Sequence, residues 1–209
     1  RRFSARKILC AMKRVALIRH GHSDHNPTGN YSPWWLGSLF SRDTRLTARG
    51  QQQAKDLGEK RAGDPHHPLQ SVQVVISSPL SRCIETTLLI FGDSLEPPRC
   101  VSNLHTERCI MPCDTGRSPE ELLKSFPCLA QWQDFAQLPT TWWPKERSFQ
   151  EELSPKDRVE AFKRYLLARP EEKLAVVGHN GFFSILTGRR MENCEVRWIE
   201  LSDDSLRII

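Results

Sequence analysis

Two apolar runs in this chain each stop at a histidine beside a glycine. Val15-Ala16-Leu17-Ile18 leads into Arg19-His20-Gly21, and Leu174-Ala175-Val176-Val177 leads into Gly178-His179-Asn180-Gly181. Short uninterrupted apolar runs bounded by turn-forming residues read as strands covered on both faces. Strands of that kind belong to parallel sheets flanked by helices. Ligands of such sheets gather at the carboxyl ends of the strands. Two histidines delivered to that end define a candidate reaction centre rather than two unrelated core residues.

The rest of the chain fits the same architecture. Residues 72–76 read as a third covered strand. After Pro79, residues Leu80, Cys83, Ile84, Leu88 and Phe91 fall on one helical face, and Val159, Phe162, Leu166 and Leu167 do so on another. Helix starts are marked by Ser154-Pro155-Lys156-Asp157 and by Ser118-Pro119-Glu120-Glu121, where Glu121 completes a capping box. Thr47 caps a Gln-rich helix, and Pro170 ends the helix that begins near Pro155. Residues 196–209 read as one or two closing strands around an Asp203-Asp204 turn. Strands alternating with helices predict an α/β fold, a three-layer α/β/α sandwich with a mostly parallel central sheet. Residues 13–209 are read as a single domain, and residues 1–12 as a basic tail, disordered or a targeting remnant.

Composition narrows the function classes. The chain has 209 residues, 38% of them hydrophobic and 26% charged, with a net charge of +5. No apolar run approaches the roughly 20 residues that span a bilayer. The mild, scattered positive charge fits a small anionic substrate, with no nucleic acid and no membrane as partners; oligomeric state is left open. Seven irregularly spaced cysteines suit reduced thiols in a cytoplasmic compartment. An organellar location is the alternative if the acid-poor tail is a transit-peptide remnant. His105, Cys109 and Cys113 recur every four residues, but Pro112 breaks any helix there, so no metal or other cofactor is expected.

Several residues carry chemistry. Ser78-Pro79-Leu80-Ser81-Arg82 opens a helix and puts Arg82 in its first turn, where the dipole disfavours a cation unless an anion lies between. Arg19 adjoins His20 and favours its neutral imidazole. Gly21 permits a close backbone approach at the turn.

Arg19-His20-Gly21 followed by Ser23 and Asn26, then Ser78-Pro79-x-x-Arg82, then Glu107, then Gly178-His179, resembles the histidine phosphatase (phosphoglycerate mutase-like) superfamily. Leu46-Thr47-x-x-Gly50-x-x-Gln53-Ala54 resembles the first helix of that family. The resemblance implies a phosphoglycerate mutase-like fold and a phosphohistidine formed on His20. It places Arg19, Arg82 and His179 around the phosphoryl oxygens as catalytic and substrate-binding groups, with Asn26 and Asn180 as further binding residues. Glu107 stands where the family keeps its acid, and Asp114 is the next candidate. His22 stands where many relatives carry glutamate. Residues 108–117 lack the arginine-rich and proline-rich insertion of the mutases, which favours a phosphatase.

The resulting expectation is a metal-independent phosphomonoesterase acting on a small phosphorylated substrate. The alternatives are a phosphoglycerate mutase-type phosphotransferase and a non-catalytic phosphate-binding scaffold. Asp24 and Asp43 read as turn or capping residues. Two irregular stretches, residues 27–45 around Trp34-Trp35 and residues 138–153 around Trp142-Trp143, read as core or lid packing.

Overall fold

The histidine-bearing strands lie side by side at the centre of one sheet. β1 (Lys13–Arg19) pairs in parallel with β4 (Lys173–Gly178), with Arg14 opposite Lys173 and Arg19 opposite Gly178. The computed structural model describes residues 12–24, 26, 41–108, 111–143 and 154–209. The tail 1–11 with Cys10, the segment 27–40 with Trp34 and Trp35, residues 109–110 with Cys109, and residues 144–153 lie outside the described residues.

The sheet is completed by β2 (Val74–Ser77), β3 (Arg99–Val101), β5 (Val196–Leu201) and β6 (Leu206–Ile208), in the order β3-β2-β4-β1-β5-β6. β2 runs parallel to both β3 and β4, whereas β5 and β6 close the other edge in antiparallel fashion. The closing segment is therefore two strands.

Alternation along each strand divides the core into two layers. Val15, Leu17, Leu174 and Val176 face α4 (Pro155–Ala168) and α5 (Asn180–Thr187), packing on Phe162, Leu166, Phe182 and Phe183. Ala16, Ile18, Ala175 and Val177 face α1 (Ala48–Gly63) and α2 (Ser81–Phe91), packing on Ala54, Cys83, Ile90 and Phe91. Phe162, Phe182 and Phe183 are fully buried, each contributing about 2–3 kcal/mol. This is the three-layer sandwich the sequence predicts. No helix among the described residues is long and apolar enough to cross a membrane.

The capping signals are realised. Thr47 Oγ1 accepts from Gly50 N, Ser118 and Glu121 form the reciprocal box of α3 (Pro119–Ser125), and Ser154 accepts from Asp157 N. α4 stops at Ala168, ahead of Pro170.

Two expectations are corrected. The third strand begins at Val74, because Val72 closes the 3-10 turn Pro68–Ser71. The apolar positions of α2 do not share one face. Cys83, Ile90 and Phe91 pack towards the sheet and α1, while Leu80 at its start, Ile84 and Leu88 join a third core with Leu122, Phe126, Trp132 and Trp142. That helix is covered on both sides, so helical spacing alone could not show which face is inward. Trp142 is buried on Gly116, where a Cβ would meet the indole ring, and its Nε1 donates to Arg117 O at 2.8 Å. Trp143 stands edge-on to it beneath Arg42. The packing role expected of this pair is what the structure shows.

Candidate active site

His20 and His179 follow β1 and β4 directly, so adjacent parallel strands set them side by side. His20 N donates to Gly178 O at 3.0 Å, and the two ring centroids lie 5.2 Å apart with the planes tilted by 60°. Both residues are buried. His20 Nδ1 lies 2.7 Å from Gly21 O. A carbonyl can only accept, so Nδ1 carries the proton and the neutral ring keeps its lone pair on Nε2. The turn after His20 is tight against α1: a Cβ on Gly21 would come within 2.5 Å of Gly50 O, and a Cβ on Gly50 would collide with His22 O. Only glycine fits either position.

Arg82 is fully buried. Its Nη1 donates to Cys113 O at 2.9 Å, and its Nη2 to Asp114 Oδ1 at 2.9 Å and to His179 Nδ1 at 3.3 Å. Since Nδ1 of His179 accepts, its Nε2 donates to Ser78 Oγ at 2.9 Å, with Cys83 Sγ also 3.4 Å away. Burial opposes the charge on Arg82, but the surrounding anionic groups, Asp114 foremost, outweigh it and raise its pKa. The first turn of α2 is secured from outside, where Asp43 accepts from Ser81 N at 2.7 Å and from Ser81 Oγ at 2.5 Å. Asp43 is thus a capping residue, as expected; burial raises its pKa against the pull of Ser81, Arg82 and Arg117.

Arg19 donates through Nη1 to Met191 O at 2.7 Å. Desolvation lowers its pKa, opposed chiefly by the charge of Glu107, with Arg82 also acting to lower it. Arg19 and Arg82 each keep a buried Nε without a hydrogen-bond partner. A buried unsatisfied donor costs about 1–3 kcal/mol. Among the described residues no hydrogen-bond partner meets these two donors, which leaves them available to an anion.

Glu107 lies on irregular backbone between β3 and α3. Its Oε2 accepts from Gly181 N at 3.0 Å, at the amino end of α5, and a Cβ on Gly181 would strike the carboxylate. Asp114, the second candidate acid, is taken up in the ion pair with Arg82. Asn26 Oδ1 accepts from Ser23 N at 2.9 Å and from Asn193 Nδ2 at 3.4 Å. The backbone donor fixes the amide's orientation, so Nδ2 remains the end that can donate to an anion. Asn180 Oδ1 accepts from Met191 N at 2.9 Å and so tethers the segment that also receives Arg19.

A family model described as histidine phosphatase superfamily (branch 1) matches residues 15–209. The chain belongs to the histidine phosphatase superfamily. It is 26% identical over 243 residues to phosphoglycerate mutase-like protein 1 of Arabidopsis thaliana, covering 93% of this chain and 83% of that one. Among solved structures it is similar to a candidate alpha-ribazole-5′-P phosphatase of Escherichia coli, with a TM-score of 0.57, 22% identity, and 94% and 95% of the two chains covered. A phosphoserine phosphatase of Entamoeba histolytica bound to phosphoserine gives a TM-score of 0.54 at 17% identity, covering 94% of each chain. These likenesses establish the fold of this histidine phosphatase superfamily member.

Within this histidine phosphatase superfamily fold, sequence reasoning missed Asn193, whose Nδ2 donates to His20 O at 3.0 Å. It also missed the ion pair that occupies Asp114. Neither contact has a local sequence signal, because each joins residues far apart in the chain. His105, by contrast, is a core residue: it stacks on Phe162 and bonds Val177 O through Nε2 at 3.1 Å, and its pKa is lowered to about 3 by burial. Among the described residues no group of three or more His, Cys, Asp or Glu is placed to hold a metal ion.

Proposed function

We propose that the protein is a phosphomonoesterase that hydrolyses a small phosphorylated substrate through a phosphohistidine on His20, with residues 13–209 acting as one phosphatase domain. The observation that carries this reading is the His20–His179 pair, 5.2 Å apart, beside two arginines that each keep an unpartnered buried Nε.

In the first step His20 Nε2 attacks phosphorus, the phosphorus–oxygen ester bond breaks, and Glu107 gives its proton to the departing oxygen. In the second, Glu107 takes a proton from water, the hydroxide attacks phosphorus, and the phosphorus–nitrogen bond breaks to release phosphate. Charge on the equatorial oxygens is met by Arg19 and Arg82. His179 adds a donor when it is protonated: its Nδ1, 3.3 Å from Arg82 Nη2, then no longer accepts from the arginine, and both groups turn their protons to the phosphoryl oxygens. Asn26 Nδ2 supplies a neutral donor. The positive charge that phosphoryl transfer needs is thus available from side chains, which supports a metal-independent reaction.

Incubation with a labelled phosphoester, followed by quenching under alkaline conditions that preserve a phosphorus–nitrogen bond, should leave label on the wild type and none on His20→Ala. Hydrolysis in excess chelator should persist. A wild type that turns over without ever carrying label overturns the mechanism. Phosphate exchange that needs a bisphosphorylated primer would show a mutase instead.

A further inference from the structure

Glu107 is held from two sides. Gly181 N grips the carboxylate, and the peptide unit that carries it is gripped by Arg158, in the first turn of α4. Arg158 Nη2 donates to Thr106 O at 2.8 Å and to Glu107 O at 3.4 Å. Its Nη1 donates to Thr106 Oγ1 at 3.2 Å and to Glu107 O at 3.3 Å. The guanidinium also lies over the ring of Phe182, 5.6 Å from its centroid, and Phe182 directly follows Gly181. One planar cation therefore ties three separate pieces of chain: α4, the irregular backbone at Thr106-Glu107, and the start of α5. Backbone with no sheet or helix ladder of its own takes its position from such bonds.

We propose that Arg158 is a positioning residue for proton transfer, fixing the distance between the Glu107 carboxyl and the leaving oxygen. The proposal rests on the reading of Glu107 as the acid. The hydrogen bonds of Arg158 run to the Thr106-Glu107 backbone and the Thr106 hydroxyl, so the proposed effect is exerted through Glu107. Forked donation to two successive carbonyls needs a guanidinium; an ammonium offers charge without the fork. Misplacement of a catalytic group by about 1 Å can cost on the order of 100-fold in rate.

The consequence is selective. An alkyl phosphate expels a strongly basic alkoxide and depends on the acid. An aryl ester such as 4-nitrophenyl phosphate expels a weakly basic phenolate and depends on the acid little in the step that forms the phosphohistidine, although its hydrolysis needs Glu107 as base for either ester. Arg158→Lys, with Arg158→Met as a second variant should one fail to fold, is compared with wild type and Glu107→Gln on both ester types. Folding is checked by circular dichroism and thermal midpoint.

The expected result for Arg158→Lys is a loss of tenfold or more in kcat/KM on the alkyl ester and less than about twofold on the aryl ester, since kcat/KM reports formation of the phosphohistidine and not its hydrolysis, which is common to both. Glu107→Gln should show the same selectivity more strongly, and the double variant should be no worse than Glu107→Gln alone. Equal losses on both esters in folded Arg158 variants, or no loss on either, overturn the proposal while Glu107→Gln stays selective. Equal losses in Glu107→Gln itself remove the acid reading, and the proposal with it.

Discussion

Asp114 Oδ1 accepts from Arg82 Nη2 at 2.9 Å, with the arginine side chain fully buried and the aspartate 7% exposed. Arg82, the cation proposed to bind phosphate, is therefore charge-compensated by the chain itself. Breaking a buried ion pair by neutralising one partner costs about 3–5 kcal/mol. Asp114→Asn should lose stability on that scale in denaturant titrations. Inorganic phosphate should bind the folded variant more tightly than wild type, since one negative charge has left the wall of the site. Unchanged stability together with unchanged phosphate affinity would contradict the pairing.

Ser78 Oγ, 2.9 Å from His179 Nε2, accepts from the tautomer that Arg82 sets by donating to Nδ1, and so fixes the ring from its other side. Ser78→Ala should lower kcat/KM about tenfold, equivalent to about 1.4 kcal/mol of transition-state stabilisation, while the thermal midpoint stays near wild type. A variant within twofold of wild type would show that Cys83 Sγ suffices to hold the ring.

The reciprocal fit of Gly21 and Gly50 makes α1 a support for the His20 turn. Gly50→Ala drives a Cβ into His22 O and should cost about 1–3 kcal/mol together with activity. Gly63→Ala, near the other end of the same helix, meets nothing within 4 Å and should stabilise by up to about 1 kcal/mol without touching kcat. Equal stability changes at the two glycines would dismiss the docking role.

His105 sets a pH dependence. Its folded pKa of about 3 lies below the ordinary 6.5 because burial disfavours the imidazolium. Between those values the unfolded chain binds the extra proton, so stability falls as pH drops from about 6.5 towards 3, at up to about 1.4 kcal/mol per pH unit. His105→Phe should flatten that part of the stability profile, because Val177 O keeps a second donor in Ser78 N at 3.0 Å. Parallel wild-type and variant profiles from pH 7 to 4 would refute the assignment.

What could be read from the chain, and what could not, follows from the range of each interaction. The covered strands, the helix caps and the two histidines are local patterns of composition and spacing, and the fold they implied is the fold observed. Arg82 was legible because a cation at a helix start conflicts with the dipole. β3 escaped notice because three residues carry no periodicity. Asn193 and Arg158 escaped notice, and Asp114 was read only as a second candidate acid, because their bonds to His20, the Thr106-Glu107 backbone and Arg82 are joined only by the fold. The two-sided burial of α2 was hidden for the same reason: a third core built from α3 and Trp142 had no local trace in the helix itself.

β1 lies between a parallel and an antiparallel neighbour, so the backbone leading to His20 is held along its length by both β4 and β5. Proteins open in cooperative units, the densest last. In hydrogen exchange the His20 amide, bonded to Gly178 O at 3.0 Å within the sheet, should be among the slowest, and the Thr106 amide, bonded to Asn103 O at 3.4 Å in a turn, should exchange faster. On the proposed mechanism, sub-global opening should remove the acid and base of both steps while His20 stays in place. The partly opened molecule would then keep its proposed nucleophile and lose the proton transfers that leaving-group departure and hydrolysis need.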